Sequence, residues 1–577
     1  MLLREIVALL ALEGGNGDRQ GAYAGAADKL DTFPASVALM ATVETVQGSL
    51  GVSEAVAERI IEYRDHGSIG YLDHLRRLFP PEVRRLMVVP GIDANLATRL
   101  YRSLNINSLR DLDVAVRQGL LAADSEIGPD KAAMIRLNLT QVEHGGGRIP
   151  LGQALPIIQE LDGLLRAAPG LSQLALVGSA RRWEETIGDI DFCATTTESP
   201  DALFERFIEY KRVDRVIARE PDRVAVQLAI GIPAELFLAT PETFGCMAHW
   251  LTGNRRHTVR LRQLASAQGY RLEPKGFWRS ADDALIPCPE ERIIYETLGL
   301  VMPPPEVRQG EAELTWRRME DVPSLVDATA VQGDLHVHSA WDDGGGTIED
   351  VAAAAKALGY TYIAITSHAQ QGTVDDGLSL RLLRRQVAEI DRYNGRETGV
   401  TCISGVEVPI GPGGVLQWPA GMRELVDIVV GAIGTGEDLS DDEYTARLAG
   451  AIAGGQIDII AHPTGRLLQH KDPAKLDWER LLPGTASQQI AWEINANWRR
   501  LDLGEQAARR VTEAGGLLSI SSDAHHPLQL PMMTFGVAIA RRAIVPPAQV
   551  LNVGPIDRVR DWITERRRIR TGKAHSG

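Results

Sequence analysis

The chain has 577 residues, too many for one hydrophobic core, and at ~150 residues per domain three to five folded units are expected. A composition of 44% hydrophobic and 24% charged residues is that of a globular protein and excludes gross disorder or a fibrous architecture. The net charge of -15 excludes a uniformly basic surface, no apolar run approaches the ~20 residues of a membrane span, and Cys193, Cys246, Cys288 and Cys402 form no CxxC pair, so a reducing cytoplasm is expected, with neither a disulfide scaffold nor a thiolate zinc site.

Residues 6–12, apolar and flanked by Glu5 and Glu13, read as a helix face and not as a targeting segment. Helical patterning then runs to about residue 145, with apolar spacings such as Val56, Ile60 and Tyr63, then Leu72, Leu75 and Leu78. Two turns, Pro90-Gly91-Ile92-Asp93 and Ile127-Gly128-Pro129, lead into predicted helices over 94–104 and 132–139 and look like helix-hairpin-helix elements. A glycine turn that presents backbone N–H groups at a helix start can hold a DNA phosphate at Gly91 or Gly128, although such turns also serve as plain punctuation. Asp93 stands where the motif usually has a second glycine, and its charge works against an anion.

After Gly145-Gly146-Gly147 helices and strands alternate, with strands expected over 174–177, 191–194, 224–229 and 235–239. Asp189 and Asp191, two apart on a strand, project from one face and can share a pair of Mg²⁺ or Mn²⁺ ions. Upstream, Gly178 and Ser179 open a helix where backbone donors and a hydroxyl can hold triphosphate oxygens, with Arg181 or Arg182 adding charge. From 250 to 280 the chain carries Arg255, Arg256, Arg260, Arg262, Arg271, Lys275 and Arg279 against Glu273 alone, a basic strip that is either a solvated helix surface or a DNA contact. Residues 301–330, rich in proline and charge, read as an inter-domain linker.

A second α/β pattern follows, with strands over 334–338 and 362–366 around a helix over 347–358, and repeated βα units suggest a barrel-like sheet. His336, His338, His368, Glu407, His462, Asp523 and His525 occur along it, several just after predicted strands, where barrel folds gather their chemistry. The arginine-rich end of the last helix, 565–570, reads equally as a solvated surface or a DNA contact.

The segment Gly178-Ser179-Ala180-Arg181-Arg182-Trp183-Glu184-Glu185-Thr186-Ile187-Gly188-Asp189-Ile190-Asp191 resembles the palm signature of family X DNA polymerases. Trp250, Leu251, Gly253 and Asn254 resemble that family's segment beside the incoming nucleotide's sugar, and 257–262 its helix along base and template. The seven metal-type residues resemble the PHP (polymerase and histidinol phosphatase) domain that bacterial and archaeal members carry at the C-terminus.

The resemblance implies a multidomain chain. All-α helix-hairpin-helix modules would occupy 1–80 (8-kDa-like) and 81–145 (fingers), an α/β nucleotidyltransferase palm 146–245, a thumb 246–318, a short linker 319–330 and a PHP (β/α)7-like barrel 331–577. It implies a monomeric DNA polymerase filling short gaps in gapped or primer-template DNA with dNTPs, away from any membrane, catalysed through Asp189, Asp191 and Glu235 with Mg²⁺ or Mn²⁺. One or two Mn²⁺ or Zn²⁺ ions in the PHP domain would support 3′-5′ exonuclease or abasic-site endonuclease chemistry.

Three departures stand out. Glu235 replaces the family's third aspartate, Ser367 and Gly434 replace two PHP ligands, and no lysine lies between Lys29 and Lys131 to form a Schiff base, so lyase activity by that route is not expected. A DNA-end-binding scaffold with decayed centres, or an enzyme that is only a nuclease, are the alternatives.

Overall fold

The computed structural model describes residues 2–13, 17–32, 42–66, 69–78, 83, 86–89, 92–124, 127–129, 131–135, 147–369, 377–396, 398–434, 437 and 439–571. They form two compact units, Met1–Arg148 and Ile149–Gly577.

The first unit is helical throughout its described residues, with Leu2–Glu13, Gly17–Thr32, Glu54–His66, Ala94–Leu104 and Leu109–Arg117 among its helices. Ile6, Leu9, Val56, Ile60, Leu72, Leu75 and Leu100 are buried in one apolar cluster, the helix faces that the spacing implies. Tyr63 is an exception at 48% exposure, since the buried stripe of its helix ends a turn earlier. Asp93 caps Ala94–Leu104, its carboxylate accepting from the Leu96 N–H at 2.8 Å, so the acid occupies donors that an anion would use. Gly128 has the left-handed backbone of such a turn, φ 72°, whereas Gly91 lies outside the described residues.

The second unit begins with a five-stranded palm sheet. Its strands are β1 (Leu171–Leu176), β2 (Ile190–Thr196), β3 (Val213–Glu220), β4 (Arg223–Leu228) and β5 (Pro233–Leu238), in spatial order β1-β2-β5-β4-β3. Helices Leu151–Arg166 and Pro200–Ile208 bury Ile157, Leu161, Leu165, Phe204 and Phe207 in the core they share with the sheet. Elsewhere Met247 and Ala248 of helix Phe244–Thr252 pack with Val177 and Cys193. Sequence patterning misses β3, because as an edge strand it exposes even Val216 and Ile217 and shows no alternation.

A smaller sheet of Tyr270–Glu273, Gly276–Arg279 and Ala284–Leu285 follows, its core built on Leu261, Phe277, Ile294 and Tyr295. Residues 301–330 run through four 3-10 turns and bury Arg308, Leu314, Trp316 and Val326, a more ordered path than a linker needs.

The rest is a nearly closed barrel of seven parallel strands: β6 (Gly333–Val337), β7 (Tyr362–Ile365), β8 (Thr401–Pro409), β9 (Ile428–Ala432), β10 (Ile459–Ile460), β11 (Ala491–Asn495) and β12 (Leu517–Ser521). They pair in chain order, and a bridge from Val337 to Ala524 joins the first strand to the segment after the last. Two 3-10 turns, Pro412–Gly414 and Arg423–Leu425, lie in the connection from β8 to β9. The strands are buried almost throughout, as a sheet covered on both faces requires. In the final helix, Ile556–Arg570, Arg566 and Arg570 bind Asp458 at 3.2 and 2.5 Å, so part of the arginine run closes the barrel instead of facing solvent.

Candidate active sites

The parallel pairing of β2 with β5 sets Asp191 directly opposite Glu235, and Asp189 precedes β2 by one residue. Burial, then the charges of Asp189 and Glu235, push the Asp191 carboxyl well above the usual carboxylate range, with Arg223 pulling the other way. Carboxylates crowded in this way suit a hard divalent cation. Glu235 is held by Arg223 of β4, whose Nε and Nη2 donate to its two oxygens at 2.9 and 3.0 Å. The third carboxylate is therefore neutralised by the protein itself.

Helix Gly178–Arg181 starts beside these acids. Gly178 has φ 70°, and a Cβ there would stand 3.0 Å from Asp191 Oδ2, so both backbone and space call for glycine. Ser179 Oγ is buried without a hydrogen-bond partner, an orphan that a phosphate oxygen would satisfy.

The two arginines expected at the phosphates have protein partners. Arg181 donates to Thr252 Oγ1 and Glu291, both at 2.7 Å, and Arg182 donates to the Thr252 carbonyl and to Glu184. Burial opposes ionisation of Glu291, but Arg308 and Arg181 overcome it and hold the carboxyl down at about 2.

Asn254 caps helix Arg255–Ala267, and Arg262 stacks over Trp250 at 5.0 Å. Leu251 is half-buried and Gly253 buried. The basic strip is less basic than its sequence count, because Arg256, Arg271, Lys275 and Arg279 pair with Glu311, Asp283, Asp222 and Asp282. All four acids lie outside the counted window, Asp282 and Asp283 just past its end and Asp222 and Glu311 far from it in sequence. Arg255, Arg260 and Arg262 remain exposed, with Arg260 also donating to the Gly310 carbonyl.

In the barrel, all seven predicted ligand residues meet at the C-terminal ends of the strands. His336 Nε2 and His338 Nε2 are 3.2 Å apart, Glu407 Oε2 lies 3.2 and 3.4 Å from them, and Asp523 Oδ1 3.6 and 3.5 Å. Imidazole nitrogens this close, ringed by carboxylates, must share a proton or a cation. His368 Nε2 is 3.0 Å and His462 Nε2 3.4 Å from Glu407, while the His525 ring stacks on His338 at 4.0 Å.

Two groups bring their ligand atoms within 4.8 Å of one another and share His338: His336, His338 and Glu407, and His338, Asp343, His368 and His525. Burial disfavours charge on His336, yet Glu493, Asp523 and Glu407 raise it well above an ordinary histidine, and His338 is likewise pushed up to about 10 with Asp342 foremost among the raising groups. Protons and cations would compete for the same nitrogens.

The seven ligands read from the sequence leave out three residues here: Asp342 and Asp343 are missed, and the 493–497 stretch is singled out with no role for Glu493. Asp342 accepts from His338 Nδ1 at 2.9 Å and from the His368 N–H at 2.8 Å, and Asp343 completes the second group. The acidic pair and the glycines after it were visible just beyond His338; a Cβ on Gly344 would come within 2.5 Å of Ser339 N, so the turn folds back tightly enough to return the acids to the site. Glu493 sits opposite His336 Nδ1 at 2.8 Å and accepts from the His462 N–H at 2.7 Å, which leaves His336 Nε2 facing the other ligands. A lone acid in a wholly buried strand was its only signal. At the two substituted positions, Ser367 Oγ accepts from Gln386, and Gly434 is exposed, its nearest neighbour Glu437 Oε1 at 3.7 Å from an added Cβ.

The DNA polymerase beta thumb family matches residues 247–309. Over 553 residues the chain is 30% identical to the DNA polymerase/3′-5′ exonuclease PolX of Bacillus subtilis, covering 96% of each chain. It is also 28% identical over 248 residues to "Probable phosphatase PC1_1798" of Pectobacterium carotovorum, and 25% identical over 237 residues to "Probable phosphatase YcdX" of Escherichia coli. These matches take in 40% and 38% of this chain and 94% and 90% of those proteins. With identity of this degree over nearly the full length of both chains, and a β-polymerase thumb adjoining the carboxylate-bearing palm, the chain belongs to the PolX family of DNA polymerases.

Proposed function

We propose that the chain fills short gaps in DNA during repair by nucleotidyl transfer at Asp189, Asp191 and Glu235, and that its barrel hydrolyses phosphate esters at DNA ends. The observation that carries the first part is the placement of Asp191 opposite Glu235 beside a glycine turn whose Ser179 hydroxyl has no partner. Mg²⁺ or Mn²⁺ held by the three carboxylates would neutralise the transferring phosphate and lower the pKa of the primer hydroxyl. The chain's own part is to hold the triphosphate on the Gly178 and Ser179 donors, with the nucleotide along Trp250, Leu251, Gly253 and Asn254. Arg181 and Arg182 shape that turn through Thr252 and add positive potential beside it.

Exposed Arg255, Arg260 and Arg262, with Arg256 paired to Glu311, support contact with the DNA backbone, and the helical first unit, with its left-handed turn at Gly128, supports a sequence-independent grip on it. In the barrel, His336, His338, His368, Glu407, His462, Asp523 and His525, with Asp342 and Asp343 beside them, would hold one or two Mn²⁺ or Zn²⁺ ions, and bound metal supplies hydroxide at neutral pH. The similarity to bacterial phosphatases favours phosphoester hydrolysis there. Primer extension on a one-nucleotide-gapped duplex with Mg²⁺ or Mn²⁺ tests the reading. Template-directed addition is expected, and its absence with either metal would favour the nuclease or scaffold alternatives.

A further inference from the structure

Residues 182–187 lie between the phosphate-turn helix and Asp189, and three side chains of the barrel region hold them from outside the palm, while a fourth packs on the neighbouring helix. Arg466 donates Nη1 and Nη2 to the Glu185 carboxylate at 3.1 and 2.8 Å, and is fixed by the carbonyls of Arg500 (2.9 Å) and Leu501. Arg542 donates Nη1 to the Arg182 carbonyl at 2.8 Å, and Nη2 to Glu184 at 3.0 Å and Glu505 at 2.7 Å. Phe535 meets the Trp183 ring edge-to-face at 5.8 Å. Trp498 packs so closely on Gly152 that a Cβ there would lie 2.1 Å from its Cγ, and the neighbouring Leu151 N–H donates to the Glu185 carbonyl at 3.0 Å.

The contacts of Arg466, Arg542 and Phe535 fall on one short segment, and the segment needs them. Trp183 has a left-handed backbone, φ 52°, which is strained for a bulky L-residue and persists only where the surroundings over-determine it. Bidentate and forked arginine bonds are the kind that fix geometry. The Arg466 clamp grows from the loops of the second centre: Arg466 lies four residues past His462, and Arg500, whose carbonyl anchors Arg466, places Nε 3.7 Å from Asp523. One buried apolar cluster also runs through palm and barrel together.

We propose that the barrel is a positioning element of the polymerase centre, with Arg466 and Arg542 holding the nucleotide-binding turn and Asp189 in register. This rests on the reading of residues 178–191 as the nucleotide site. A shift of ~1 Å in a positioned group can cost ~100-fold in rate, so releasing one of the two clamps is expected to be visible without unfolding the chain.

The test is single-nucleotide gap filling by the full chain carrying Arg466→Ala, Arg466→Lys, Glu185→Gln, or Glu185→Gln with Arg466→Ala. Arg466→Ala should raise the dNTP KM about tenfold or more while kcat changes less, Arg466→Lys should recover part of the loss, and the double variant should be no worse than the worse single one. A merely structural role would lower the melting temperature and the active fraction with KM unmoved, and that result, or additive effects in the pair, overturns the proposal. Should the wild-type chain add no nucleotide, the reading of the palm fails separately. Amide exchange of residues 182–187 still decides whether the barrel holds the segment: faster exchange in Arg466→Ala supports it, and unchanged exchange overturns it.

Discussion

In the palm three carboxylates lie at the ends of two adjacent strands, and one of them is already occupied by Arg223. In the barrel, histidines and acids from five strands converge until two groups of ligand atoms lie within 4.8 Å of one another. Among the described residues the palm trio does not bring its oxygens together in this way, and Glu235 is engaged with Arg223. The difference is chemical as well as geometric. An oxygen-only site suits Mg²⁺, which keeps its waters and binds through substrate phosphates, whereas a mixed nitrogen and oxygen cage holds a borderline metal without help. In the function proposed, one centre would be completed by its substrate and the other by its own fold.

This contrast predicts its largest effect in metal retention. Protein dialysed against metal-free buffer should keep about one or two Mn²⁺ or Zn²⁺ ions per chain by elemental analysis. His336→Ala with Asp523→Ala should remove most of them, while Asp189→Ala with Asp191→Ala should leave the count unchanged; loss of metal from the second variant would erase the distinction.

A smaller effect concerns how the palm is braced. Replacing Glu291 by Gln leaves the fully buried Arg308 without its counter-charge and should lower stability by ~3–5 kcal/mol, read as a fall in melting temperature. Because the folded carboxyl is held down at about 2, its contribution is complete above the unfolded value near ~4.3 and is lost as pH falls toward about 2. The gap between wild type and Glu291→Gln should therefore narrow on acidification, and a gap constant with pH would exclude the ion pair as its source.

The smallest effect is at Glu235. Shortening it to Asp draws the carboxylate back from Arg223 toward the strand and should raise the Mg²⁺-dependent rate of nucleotide addition by about tenfold, worth ~1.4 kcal/mol. A loss would mean that the Arg223 pair, and not the third metal-facing acid, is what position 235 supplies.

The parts of this account that were legible in the sequence are those written in local patterns. Strands β6 and β7 and the helix between them follow from short apolar runs, and Asp191 with the Gly178 turn from a spacing that only a strand and a glycine can satisfy. Glu235 was placed by resemblance alone, and only the strand register shows it facing Asp191. Edge strand β3 was missed because an exposed strand carries no alternation, and Tyr63 was misread because periodicity cannot say where a partner surface ends. Asp342 and Asp343 lay in plain view without a spacing rule to select them, and Glu493, in a stretch the sequence did single out, had no partner in sequence to give it a role. Long-range pairs were wholly illegible: Arg466 with Glu185, and Lys275 and Arg256 with Asp222 and Glu311, are brought together by folding and not by any pattern.

The central claim is that one chain carries two separable centres, and a single gapped duplex with a frayed 3′ end reports on both. Asp189→Ala with Asp191→Ala should abolish extension of the primer and spare its shortening, whereas His336→Ala with Asp523→Ala should abolish shortening and leave extension substantially intact. Loss of both activities in both variants, or of neither in either, would contradict the account.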